Sequence, residues 1–280
     1  MNDKHLQALY GLKWNPFLPD LPLEALWVAP ALNPFLMRIE NLLRTGGFAL
    51  ICGEPGLGKS KNLQLLAHRL TTVGDVIVGV MQRPQSSLGD FYRELGDLFQ
   101  VNLSPANRYG GFKALRERWH EHLKSTLYRP VLLVDEAQEM PSACLNEIRL
   151  LPSDHFDSRC LLTTVLCGDL RLPERFRSPQ LASLGTRMHV RQIIQPYPPD
   201  ELLDCLEHSL LQAGGAHLMT PELKQTLVEH AAGNLRVLNI MAAELLATAA
   251  EKEIPQLDEK LFFDVFSRQP STGKRKRKPS

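Results

Sequence analysis

Cysteine is scarce in this 280-residue sequence, long apolar runs are missing, and neither sign of charge dominates. The five cysteines, Cys52, Cys144, Cys160, Cys167 and Cys205, are odd in number and form no CxxC pair, which excludes both a disulfide framework and a zinc knuckle. Most lie in apolar segments, where a free thiol behaves as a small buried hydrophobe, so a reducing compartment is expected. The longest apolar runs, such as Leu161–Cys167, fall short of the roughly 18 residues that a membrane span needs. Met1–Trp14 lacks the apolar core of a secretory leader. At 44% apolar the chain is no disordered polymer, and no low-complexity bias is visible. A soluble cytoplasmic protein is expected, with one large domain or a domain plus an appendage, and no membrane partner.

Lys and Arg total 32 against 31 Asp and Glu, a formal net charge of +1. Five of those cations are Lys274, Arg275, Lys276, Arg277 and Lys278; without them the balance turns negative. A globally basic nucleic-acid binder is therefore not indicated, and any such contact must come from local patches. Residues 269–280 read as a basic disordered tail, either a solubilising end or a phosphate-seeking arm.

Five short apolar runs rich in branched residues read as strands: Phe48–Cys52, Val76–Met81, Val131–Val134, Leu161–Cys167 and Met188–Ile194. Helical patterns lie between them, at Lys59–Thr71, Leu88–Phe99, Phe112–Thr126, Ser142–Leu151 and around Leu172–Leu184. Strands alternating with helices predict right-handed crossovers and an α/β fold with a mainly parallel sheet. After Pro196 the strand signal stops. Pro199–Gln212, Pro221–Ala232, Leu235–Glu253 and Asp258–Ser267 read as four consecutive helices, punctuated by Gly214, Gly215 and Gly233. Gly11–Pro34 carries five of the chain's prolines and is expected to run extended over the body before a helix near Phe35–Arg44. The expected organisation is a strap (1–34), an α/β domain (35–196), a helical domain (197–268) and the tail (269–280).

The segment Gly53-Glu54-Pro55-Gly56-Leu57-Gly58-Lys59-Ser60 fits GxxxxGK[ST] directly after a strand and before a helix. Glycines let such a loop curl so that its N–H groups surround phosphate oxygens, and the helix adds its positive N-terminal end. Lys59 is expected on the β- and γ-phosphates of ATP, Ser60 on Mg²⁺, and Lys61 alongside the nucleotide. A chance glycine-rich turn is the plain alternative, but every required position is filled in the required context. The run Val131-Leu-Leu-Val-Asp135-Glu136 ends a buried strand in two acids. At the C-terminal edge of an open sheet, Asp135 can hold Mg²⁺ and Glu136 can polarise a water for attack on the γ-phosphate. Acids that merely cap the following turn are the alternative. The strand Val76–Met81 between the two motifs implies that another strand separates the phosphate-loop strand from the acid strand.

At this point the sequence resembles the AAA+ ATPases, P-loop NTPases with a five-stranded parallel sheet flanked by helices and a C-terminal helical lid. The resemblance implies further roles. Gly168-Asp169 ends the fourth strand, where the family senses the γ-phosphate with a polar residue. Arg187 precedes the fifth strand, where many members present an arginine finger to a neighbouring subunit; Arg171, Arg175 and Arg177 compete for that role, and a helix C-cap is the plain alternative for Arg187. Gly233-Asn-Leu-Arg236 is similar to the lid segment carrying a sensor arginine, with a surface ion pair as the alternative. Gln195-Pro-Tyr-Pro-Pro-Asp-Glu-Leu202 resembles the hinge into the lid. A carboxylate at Asp169 departs from the uncharged residue usual there and would have to be paired or turned away.

Gly11-Leu-Lys-Trp-Asn-Pro-Phe17, Asp135-Glu-Ala-Gln138 and Gly168 also resemble one branch, over roughly residues 10 to 265. It holds the transposition ATPases of the phage Mu B, TniB and TnsC type and the general-secretion-pathway A-type ATPases. Secretion members usually append a membrane span and a wall-binding module; the sequence ends shortly after the lid, which favours the transposition side. The resemblance implies a homo-oligomer, a ring or helical filament on duplex DNA, that recruits or stimulates a transposase. The local DNA candidates are Arg108, Lys113 and Arg116, near Asn107 and Arg118, with a solvated helix face balanced by Glu117 and Glu121 as the alternative. The other class of function is a secretion or envelope-assembly ATPase acting on proteins.

Overall fold

The computed structural model describes residues 3–103 and 107–266. The basic tail lies outside the described residues. The chain opens with α1 (Asp3–Tyr10), then α2 (Leu32–Thr45), β1 (Gly47–Gly53), α3 (Lys59–Thr72), β2 (Val78–Met81), α4 (Leu88–Phe99) and α5 (Arg108–Ser125). It continues through β3 (Val131–Val134), α6 (Ser142–Leu150), β4 (Ser153–Asp154), β5 (Arg159–Cys160), β6 (Thr163–Gly168), α7 (Arg171–Arg175), α8 (Ala182–Gly185) and β7 (Met188–Ile194). Helices α9 (Pro199–Ala213), α10 (Pro221–Ala231), α11 (Leu235–Glu251) and α12 (Glu259–Phe266) complete it.

Two compact units result, one spanning Val28–Gln195 and the other joining the N-terminal 27 residues to the chain from Pro196 onward. In the first, five parallel strands form a sheet in the order β2-β3-β6-β1-β7. All seven residues of β1 and all four of β3 are buried. Such unbroken burial, without a polar alternate, is what a sheet covered on both faces requires. Phe91, Leu95, Phe99, Leu115 and Trp119 bring α4 and α5 onto one face. Phe99 and Trp119 meet edge to face with centroids 5.4 Å apart, a geometry worth about 0.5–1.5 kcal/mol beyond area burial. The strand between the phosphate-loop strand and the acid strand is β6, which comes later in the chain than Val76–Met81; β2 lies at the sheet edge.

In the second unit, Thr220 caps α10 by accepting from the Leu223 N–H, Pro221 occupies its first turn, and Gly214 ends α9 at φ 86°. The expected extended strap over the α/β body is corrected here. The residues before it form α1, and the stretch as far as Trp27 packs within the helical unit. The Tyr10 hydroxyl donates to the Ile254 carbonyl (2.9 Å), the Lys13 N–H to the Ala213 carbonyl (2.9 Å), and Trp27 meets Tyr197 edge-on. Packing these aromatic side chains within the helical unit outweighs the freedom a proline-rich segment would otherwise keep. Two smaller expectations also change. The helix around Leu172–Leu184 is split into α7 and α8, with Pro179 between them. A two-stranded hairpin, β4 with β5, precedes β6.

Candidate active site

β1 ends at Gly53, where a Cβ would meet the Ile194 carbonyl oxygen at 2.7 Å, so only glycine lets the chain turn away from β7 there. Gly56 and Gly58 follow at φ 90° and 82°, left-handed conformations that curl the loop before α3 begins at Lys59. Lys59 is 7% exposed, and its ammonium donates to the Glu54 carbonyl at 2.9 Å. The cation is thus folded back over the loop it belongs to and leans on a main-chain acceptor instead of a carboxylate. Ser60 is exposed in the first turn of α3, and the Lys61 ammonium reaches Gln64 Oε1 at 3.4 Å.

The acids arrive from two strands away. β3 pairs with β6 and β6 with β1, so Val134, Leu166 and Leu50 lie in one row across the sheet. With strands about 4.8 Å apart, Asp135 stands roughly 10 Å from the β1 axis at the same edge as the phosphate loop. Cys167 records this convergence: burial first, and then the Asp135 carboxylate, push its thiol far up, with Lys59 and Glu136 also within electrostatic range. Glu136 sits exposed just past the strand at φ 50°, a left-handed conformation costly for a residue with a Cβ. Its N–H donates to Asp135 Oδ1 at 2.9 Å.

Residues 42–176 match the family model described as "AAA domain". This segment is similar to the AAA domains. Over 246 residues the chain is 31% identical to general secretion pathway protein A of Aeromonas hydrophila, covering 86% of this chain and 44% of that protein. The chain thus spans less than half the length of the curated relative it matches. Among solved structures, the Aeropyrum pernix ORC1 protein in complex with DNA aligns with a TM-score of 0.64 at 18% identity, over 89% of this chain and 67% of the other. Cdc6p of Pyrobaculum aerophilum gives 0.66 at 14% identity over 86% and 67%. Domain III of the Thermotoga maritima replication initiation protein DnaA gives 0.58 at 18% over 89% and 97%. At these identities the structures establish the AAA+ fold: an α/β body whose five parallel strands are flanked by helices.

One side chain in this segment has a role that sequence reading missed. Gln138 is 7% exposed; its amide N–H donates to Glu136 Oε2, and its carbonyl accepts the Asp169 N–H at 3.2 Å. It therefore ties the candidate base to the end of β6. Gly168 makes room for this, since a Cβ there would meet Gln138 Oε1 at 2.5 Å. The sequence signal was its place in Asp135-Glu-Ala-Gln138, which gave no hint of the bridge.

Asp169 is paired and turned toward Arg171, whose main-chain N–H and Nε donate to its two oxygens at 2.9 and 2.8 Å. Burial works against this charge, but the hydrogen bonds from Arg171 outweigh it and hold the carboxyl below its usual range. The carboxylate foreseen as awkward beside a γ-phosphate is thereby neutralised. Arg171 also pairs with Glu139 (2.6 Å), and Arg175 donates to the Gln138 carbonyl (2.5 Å) and to Ser142 Oγ (3.3 Å). Both of these arginines brace the loop that carries the acids; Arg177 is exposed, and its guanidinium makes no hydrogen bond or ion pair among the described residues.

Arg187 lies just before Met188, which pairs with Phe48 near the start of β1, whereas Gly53 pairs with Ile194. That places Arg187 about six strand residues, roughly 20 Å, from this chain's own phosphate loop. It pairs with Asp157 and donates to the Ser183 carbonyl at 3.0 Å. Arg236 is exposed in the first turn of α11 in the helical unit, its N–H accepted by Asn234 Oδ1 at 3.0 Å.

The three cations singled out for DNA are not equivalent. Arg116 is fixed inside the fold, donating to the Leu151 carbonyl (2.9 Å), to the Ser153 carbonyl and to Asp154 (2.7 Å). It holds the β4–β5 hairpin and is unsuited to phosphate contact. Arg108 pairs with Glu147, a buried carboxylate that also accepts from the Tyr92 hydroxyl at 2.5 Å. Lys113 remains exposed, with Glu117 at 3.7 Å on the same helix. A buried carboxylate and two carbonyls needed cations, and α5 supplies them.

Proposed function

We propose that the chain is an ATP-driven, oligomerising regulator that assembles on duplex DNA and selects target sites for a transposase. The observation that carries the ATPase part is the meeting of Lys59, Asp135 and Glu136 at one edge of the sheet. Lys59 would leave the Glu54 carbonyl for the β- and γ-phosphates, an exchange of a neutral for a charged acceptor that favours the bound state. Ser60 and Asp135 suit Mg²⁺, which takes one or two protein oxygens plus phosphates and, when bound, neutralises charge on the phosphate oxygens. Glu136 accepts a proton from the attacking water, and the Gln138 amide holds that carboxylate in register with the end of β6, where the γ-phosphate is sensed. Arg187 serves the nucleotide of a neighbouring copy, since its own is out of reach.

DNA as the track is supported by the fold shared with the ORC1 structure in complex with DNA; the transposase partner rests on the sequence resemblance. With Arg116 and Arg108 engaged inside the fold, DNA contact falls to Lys113 and the basic tail. The 31% identity to general secretion pathway protein A favours a second reading, in which the ATPase works on protein partners of an envelope or secretion assembly. Steady-state hydrolysis separates the two. Duplex DNA of any sequence is expected to raise the ATPase rate; a rate indifferent to DNA at low salt favours the protein-partner reading.

A further inference from the structure

At the edge of the sheet opposite the phosphate loop lies a cavity of about 480 Å³, within the range of small-ligand sites. Its floor is the start of β1. Gly46 and Gly47 keep it open: a Cβ on Gly46 would meet the Cys160 carbonyl oxygen at 2.6 Å, and one on Gly47 would meet His189 Nδ1 at 3.0 Å. Arg149, Arg159, Arg187 and His189 face it, against the single carboxylate of Asp157. That carboxylate is already engaged, accepting from Ser153 Oγ and paired with Arg187. The guanidinium groups of Arg149 and Arg159 make no hydrogen bond or ion pair among the described residues, and the Arg149 Nε is buried without a partner. A buried guanidinium N–H left unsatisfied is costly and rare. Nearby, Arg129 already spends its guanidinium on the Arg44 and Cys160 carbonyls; burial first and then the Arg159 charge push its pKa down, so positive charge is crowded here.

We infer that this cavity is a second phosphate-binding site, with Arg149 and Arg159 as its unpaired cations and Arg187 as a third that exchanges Asp157 for the incoming oxyanion. The planar forks of three guanidinium groups match the oxygens of a phosphoryl group. The inference goes beyond the reading of Arg187 as a lone finger, because it makes Asp157 a latch on that arginine and assigns work to two arginines on α6 and β5. The phosphate can come from a nucleotide held by the next copy or from a DNA backbone.

The probe is pyrophosphate, titrated calorimetrically into Lys59→Ala protein, whose phosphate loop is disabled. Binding is expected, and Arg149→Ala with Arg159→Ala on that background should weaken it at least about tenfold, the loss of roughly one charge-assisted contact. Arg159→Glu alone, an exchange on an exposed hairpin strand, gives the same direction without disturbing α6, and Asp157→Ala should tighten binding by freeing Arg187. With Lys59 intact, the Arg149→Ala, Arg159→Ala pair reports the source. Loss of concentration-dependent ATP hydrolysis with unchanged DNA affinity identifies the next copy's nucleotide; a shallower salt dependence of DNA binding with normal hydrolysis identifies the DNA backbone. Pyrophosphate binding that is absent in Lys59→Ala, or that survives both the double variant and Arg159→Glu unchanged, overturns the site, and leaves the phosphate-loop reading standing.

Discussion

Glu136→Gln should bind ATP as the parent does and hydrolyse it about 10²–10⁴-fold more slowly, the usual contribution of a general base. The amide keeps the size and the hydrogen-bonding reach of the carboxylate, so the geometry around Gln138 and Asp135 is preserved while the proton acceptor is lost. The variant should therefore accumulate in its ATP-bound form, and assemblies that require ATP should outlive those of the parent. Single-turnover hydrolysis alongside equilibrium nucleotide binding reads the two effects separately. Parental turnover in the variant would remove Glu136 from the role of base, and would point to another group acting through water.

Arg187→Ala carries the larger expected loss, about 10³-fold or more in hydrolysis, with ATP binding by single subunits nearly intact. The reasoning is positional: Arg187 stands roughly 20 Å from its own phosphate loop, so its charge can reach a transferring phosphoryl group only across a subunit boundary. Mixing Arg187→Ala subunits with Lys59→Ala subunits tests this. One supplies an intact phosphate loop and the other an intact arginine, and their shared interfaces should recover part of the activity. Failure to recover, with mixed assembly verified by light scattering, would assign Arg187 to its pair with Asp157 and a purely structural task.

What the sequence made legible is whatever local pattern decides. The phosphate loop needs glycine at Gly56 and Gly58 for reasons internal to a short segment, and the buried strands β1 and β3 show as unbroken apolar runs. The order of the helices after Pro196 was equally readable from caps and glycines. Long-range pairing was not. Nothing in the spacing of Arg116 says that two carbonyls and Asp154 on a later hairpin will claim it. The hairpin itself turns through His155, Phe156 and Asp157 at positive φ, without the glycine or asparagine that usually announces such a turn. Gln138 needed the end of β6 to be brought beside it before its bridging role could appear. The attachment of the N-terminal segment to the helical unit likewise depends on Tyr10 and Lys13 meeting residues 200 or more positions away.

The most direct test of an ATP-gated assembly on DNA is the equilibrium affinity of Glu136→Gln for a duplex of arbitrary sequence, with ATP and with ADP. ATP should tighten binding by roughly 5–150-fold, the range of coupling between linked sites. The affinity should also fall with salt at a log–log slope of about −0.9 for each phosphate neutralised. Equal affinity in ATP and ADP, or no binding at low salt in either, would contradict it.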